Sequence, residues 1–90
     1  MMLNINQLND LLDFLSNVDN IAVYWDLSES GKVYNTKDKK FKRFIRRLVK
    51  DIYNGSGRIF VKIYEKSAVL EVEHDYGLFY EFHKFRFFKA

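Results

Sequence analysis

The segment "KKFKRFIRRLVKDIY" restricts the possible folds more than any other part of the chain. Phe41, Phe44, Ile45, Leu48, Val49, Ile52 and Tyr53 recur at alternating steps of three and one. At about 100° per residue, that spacing puts all of them on one side of an α-helix. The opposite side is basic: Lys39, Arg43, Arg46, Arg47 and Lys50 lie away from the apolar stripe, with Lys40 and Lys42 on its flanks. Such a helix has no stability of its own in water and must lie against another layer. Thr36 reads as its N-cap, Asp38 as a first-turn acid and Lys50 as a base toward its end, both charges suiting the helix dipole. Asn54-Gly55 reads as its stop.

The surrounding segments supply that layer. "NIAVYWDLSESGKVYN" alternates Ile21, Val23, Trp25 and Leu27 against Ala22, Tyr24 and Asp26, then turns at "SESG" into a short return strand. "RIFVKIY" sets Ile59, Val61 and Ile63 against Phe60, Lys62 and Tyr64. "SAVLEVEH" sets Ala68, Leu70 and Val72 inward against Val69, Glu71 and Glu73, and "HDYG" turns into a closing strand. Near the start, "NINQLNDLLDFLSNV" spaces Ile5, Leu8, Leu12 and Leu15 by three and four, widened by Leu11 and Phe14. It predicts an amphipathic helix of about three turns, with Asn4 and Gln7 arranged as a capping box. The glycines, Gly31, Gly55, Gly57 and Gly77, fall between these segments, where turns and helix stops need positive φ. The predicted order is α-β-β-α-β-β-β. This is one α+β domain over residues 1–90, with a mostly antiparallel five-stranded sheet. Both helices are expected on one face, because the outward strand positions are mostly polar.

With no cysteine, the core has neither disulfides nor cysteine-held metal to support it, and an 18% aromatic share must supply the contact area. No stretch approaches the roughly 20 apolar residues of a membrane helix. "MMLNINQLND" lacks the basic and apolar regions of a signal peptide. A cytoplasmic protein without membrane contact is the expectation.

Groups suited to catalysis are sparse. Ser16, Ser28, Ser30, Ser56 and Ser67 all fall at predicted turns or helix ends, and none lies in a nucleophile elbow. "NGSGR" has the glycines of a phosphate cradle, but it follows a helix and precedes a strand, the reverse of a P-loop. Arg58 beside it is left as a weak anion contact. His74 and His83 have Glu71, Glu73, Asp75 and Glu81 nearby, a set able to hold a divalent ion if it converged. A turn at Asp75-Tyr76-Gly77 would put Val69 opposite His83 and the two histidines on different faces. No catalytic, cofactor-binding or metal-binding residue is therefore assigned, and a metal-dependent enzyme is the third reading.

Charge is more informative. Residues 1–31 carry five acids and no base, residues 32–50 nine bases and one acid, and the remainder balances. Solvated helices usually intersperse acids among their bases, because like charges at i+3 and i+4 repel. The unrelieved face of the second helix points to an anionic partner, through Lys39, Lys40, Arg43, Arg46, Arg47 and Lys50. The competing explanation is internal compensation by the acidic N-terminal third.

The closing "GLFYEFHKFRFFKA" has two readings. Continuing the alternation turns Leu78, Tyr80 and Phe82 inward and leaves Phe79, Phe85 and Phe87 as interface aromatics, for a protein partner, a second copy or stacked bases. A bulge near His83-Lys84 would instead return Phe85 and Phe87 to the core. The RNA-recognition motif is excluded, since "YEFHKFRF" has no glycine where backbone meets base and carries Glu81.

A cysteine-free α+β chain of this size, rich in Asn, Lys, Ile and Phe, resembles the small inhibitors that phages and mobile elements make against bacterial defence systems, anti-CRISPR proteins included. The resemblance implies a non-catalytic protein that covers a functional surface of a host protein or ribonucleoprotein. The basic helix departs from the acidic, DNA-mimicking members of that class. Direct DNA or RNA binding is the alternative, and a homodimer is compatible with either reading.

Overall fold

The computed structural model describes residues 5–26, 30–54 and 58–90. Helix α1 (Ile5–Ser16) is followed by β1 (Asn20–Trp25), β2 (Lys32–Asn35), helix α2 (Lys39–Asn54), β3 (Ile59–Ile63), β4 (Ser67–Asp75) and β5 (Tyr80–Lys89). The strands form one antiparallel sheet in the order β2-β1-β5-β4-β3. The α+β architecture and the element order agree with the sequence reading. The Asn4 cap, Leu27, Ser28 and Glu29 of the "SESG" turn and the Gly55–Gly57 stretch lie outside the described residues.

Both helices share their core with one face of the sheet. Leu8, Leu11 and Leu15 from α1 and Phe41, Leu48 and Ile52 from α2 meet Ile21, Val23, Ile59, Ala68, Leu70, Val72 and Phe87. At the end of α1, orphan carbonyls are satisfied locally: Ser16 Oγ and Asn17 Nδ2 donate to the Asp13 carbonyl at 2.9 and 2.8 Å.

The cap of α2 differs from expectation. Lys42 N–H donates to the Asp38 carbonyl at 3.1 Å, so Asp38 is the capping residue and the first turn itself holds no acid. Thr36 is used elsewhere. Its N–H donates to the Asp19 carbonyl at 2.9 Å, and its hydroxyl bonds to the carbonyls of Val18 and Asp19. These bonds hold the entry to α2 against the exit from α1.

β5 departs most from expectation. Its register with β4 is unbroken from Asp75↔Tyr80 to Ser67↔Phe88, with no bulge, and Val72 rather than Val69 stands opposite His83. The cause is the turn. Tyr76 N–H donates to the Phe79 carbonyl at 3.0 Å, leaving Gly77-Leu78 as a two-residue loop. Gly77 has φ 87°, and Leu78 is not in the left-handed region, the pattern of a type II′ turn. Asp75 Oδ1 accepts the Gly77 N–H at 2.8 Å and steadies it. Moving the turn in this way shifts the register by an odd number of residues and exchanges the two faces of β5. Leu78 is therefore 97% exposed and Phe82 64% exposed, while Phe87 is fully buried.

The outer face of the sheet is correspondingly less polar than expected, with Val33, Phe60, Tyr80, Phe82 and Phe88 exposed. Gly31 also has a different role from a positive-φ turn. A Cβ there would lie 2.8 Å from the Tyr24 ring and 2.9 Å from the Val23 carbonyl, so the strands approach too closely for a side chain.

The phase of β5 can be tested by urea unfolding. Phe87→Ala is expected to cost about 3–5 kcal/mol. Phe82→Ala should stay within about 0.5 kcal/mol, as surface substitutions do. The reverse ranking would mean that the register is wrong.

Candidate partner-binding face

Helix α2 has 16 residues and is therefore about 24 Å long. Aromatic contacts on its buried side fix its roll about its own axis. Phe44 stacks on Tyr34 with ring centroids 5.5 Å apart and meets the edges of Trp25 at 5.8 Å and Phe85 at 6.4 Å. Phe41 lies 5.5 Å from Tyr34. Ile45, Leu48 and Ile52 continue the contact and Val49 is half-buried, whereas Tyr53, read as the last member of the stripe, is 54% exposed.

With the roll fixed, the bases can only point outward. Lys39, Lys40, Lys42, Arg43, Arg46, Arg47 and Lys50 are all exposed, and none forms an ion pair with a described carboxylate. The compensation expected from the acidic N-terminal third is confined, among the described residues, to Asp19 and Lys37 at 4.0 Å, on the approach to α2. Repulsion along the helix costs a few tenths of a kcal/mol per close pair. Lys39 and Lys40 add to this by sitting at the positive end of the helix dipole.

One shoulder of this face borders a groove. Between α1 and α2 lies an open cavity of about 460 Å³, with Leu12, Leu15, Phe41 and Ile45 as its apolar lining. Lys37, Lys42 and Arg46 stand along one side, and Ser16 and Asp19 on the other. Lys42 and Arg46 are four residues apart and thus neighbours on the helix. The groove was not foreseen from sequence. Its signal was Lys42, which belongs to the flank of the stripe rather than to its opposite pole.

The other candidate residues are dispersed. Of the three interface aromatics, Phe79 is 60% exposed beside the β4–β5 turn, while Phe87 is in the core and Phe85 packs against it. The exposed outer-face aromatics lie on the side of the sheet away from the helices and cannot share a surface with the α2 bases. Arg58, expected to be open to an anion, has its Nε 3.3 Å from the buried carboxylate of Glu73.

The new register also corrects the histidines. His74 and His83 are on the same face with rings 5.9 Å apart, and His83 Nε2 lies 3.0 Å from Glu81 and its Nδ1 3.8 Å from Asp26. Even so, among the described residues no group of three or more His, Asp or Glu side chains is arranged to hold a metal ion. Close by, the Tyr76 hydroxyl donates to Glu81 at 3.1 Å. That bond, with some desolvation and the carboxylate charge, raises the phenol above its ordinary pKa.

No helix among the described residues is long and apolar enough to cross a membrane. No protein-family model matches the chain, and neither a curated protein nor a solved structure resembles it at a significant level.

If the α2 bases cost the fold stability, removing them near the helix start should recover some. Lys39→Glu with Lys40→Glu is expected to stabilise by a few tenths to about 1 kcal/mol at low ionic strength, with the gain shrinking as salt rises. Destabilisation in urea melts would show that these lysines serve the fold instead.

Proposed function

We propose that this chain is a small, non-catalytic binding protein, of the inhibitor type made by phages and mobile elements, that covers a macromolecular partner with the basic face of α2. One observation supports this most: a run of exposed bases along a rigidly seated helix, with no ion pair to any described carboxylate. In an isolated fold such a face only costs free energy, whereas against an anionic surface every base gains a partner. Arg43, Arg46 and Arg47 are suited to bidentate contacts with carboxylates or phosphates, and Lys39, Lys40 and Lys50 to less directional attraction.

The leading partner is a host protein or ribonucleoprotein with an acidic surface. The same array also suits direct binding of DNA or RNA, since a phosphate backbone is a regular line of charge on this length scale. The two differ in their dependence on nuclease and salt.

The experiment is affinity capture from a bacterial lysate with and without nuclease, using wild type and the triple variant Arg43→Glu, Arg46→Glu, Arg47→Glu. A protein partner retained after nuclease, and lost with the triple variant while its circular dichroism stays native, is the expected result. Capture by the triple variant at wild-type levels would refute the site. For direct nucleic-acid binding, log affinity should fall with log salt by about 0.7–0.9 per phosphate contacted. Absence of oligonucleotide binding at about 50 mM salt would remove that alternative.

A further inference from the structure

From the groove between α1 and α2, we infer that the partner is engaged through an acidic amphipathic peptide segment, whose apolar side chains enter the groove while its carboxylates meet the α2 bases. The inference rests on the basic face of α2 being the binding surface, and it adds the class of ligand. The groove has a floor of Leu15 and Phe41, both nearly inaccessible, and walls of half-buried Leu12 and Ile45. At about 460 Å³ it falls in the range of sites that hold compact apolar groups. Two helices side by side on a sheet leave the kind of furrow into which a third helix sets its side chains, with anchors three or four residues apart.

Charge decides between occupants. Lys37 already lies 4.0 Å from Asp19, but Lys42 and Arg46 flank the apolar lining with no ion pair to a described carboxylate, so an occupant that matches the groove brings both apolar groups and negative charge. A lone carboxylate on an alkyl chain would satisfy one or two of these bases. It would leave Lys39, Arg43, Arg47 and Lys50 further round the helix unmatched. A phosphate backbone would match the whole line of bases but has nothing to put on Leu12, Leu15, Phe41 and Ile45. An acidic peptide with apolar anchors does both.

The test is a selection from random displayed peptides of about 16 residues, a helix matched in length to α2, against the full chain at low salt. Enriched sequences are expected to combine Asp and Glu with Leu, Ile, Phe or Trp at spacings of three and four. Their affinity should fall at least about tenfold with Ile45→Glu and, separately, with Lys42→Glu plus Arg46→Glu. Ser16→Trp fills the groove from its exposed rim, resting on Leu15 and Phe41 without replacing a core residue, and it should weaken the same peptides even if Ile45→Glu disturbs folding. Acidic peptides with no apolar pattern, insensitive to Ser16→Trp but lost on reversing Arg43 and Arg47, would overturn the groove and leave the basic face standing. A selection that enriches no acidic sequence would overturn the inference and leave the basic face to the capture experiment. If a single-stranded oligonucleotide binds wild type and Ser16→Trp equally and displaces the selected peptides, the surface belongs to nucleic acid and the inference fails.

Discussion

Strand β5 runs between β4 and β1 with its odd residues turned toward the helices, and this register joins the two halves of the chain. Without it, the β1–β2 hairpin and the β3–β4 pair would be separate two-stranded ribbons, too small to persist in water. The register places Phe87 between Val23 and Ala68, and Phe85 between Trp25 and Leu70. Phe85, Trp25 and Tyr34 then make the aromatic seat for Phe44, and that seat sets the roll of α2. The outward direction of the α2 bases is thus a consequence of strand pairing far along the sequence. The register in turn rests on a two-residue turn, in which Gly77 takes a positive φ that other residues adopt only at a cost.

A fold of this kind spends little of its stability on charge. The ion pairs that do occur among described residues are mostly exposed and therefore weak, with the Arg58–Glu73 pair the most sheltered. Against that background the face of α2 is anomalous, because its bases repel one another and face the wrong pole of the helix dipole at its start. Ordinary selection for solubility would scatter acids among them. The binding surface proposed above would account for both the accumulation of charge and its restriction to α2. The sheet's outer face has the aromatics but an even mixture of acids and bases, which makes it a poor counterpart for a polyanion.

Much of this was legible in the sequence where local periodicity decides the outcome. The stripe from Phe41 to Ile52 predicted α2 and its buried side, and the alternation in "RIFVKIY" and "SAVLEVEH" predicted which residues of β3 and β4 face inward. Strand β5 was misread because "HDYGLFYEF" carries apolar residues at both parities, so periodicity alone cannot choose a face there. The choice is made by the turn, and a two-residue loop at Gly77-Leu78 in place of a three-residue one at Asp75-Tyr76-Gly77 shifts the register by three and reverses the strand. The same step brought His74 beside His83 after parity had separated them. The bases were identifiable as a candidate site, because a helix reports its faces directly. The groove was not, since it depends on how α1 and α2 lie relative to each other, which no spacing within either helix encodes.

The central claim is that the partner covers α2 and not the sheet, and lysine acetylation of the chain free and in its captured complex tests it most directly. Lysines are present on both sides of the molecule, Lys39, Lys40, Lys42 and Lys50 on α2 and Lys62 and Lys84 on the outer face of the sheet. Protection of the α2 group in the complex, with Lys62 and Lys84 still modified, is the expected result. Protection of Lys62 and Lys84 with the α2 lysines still reactive would contradict it and move the binding surface to the aromatic face of the sheet.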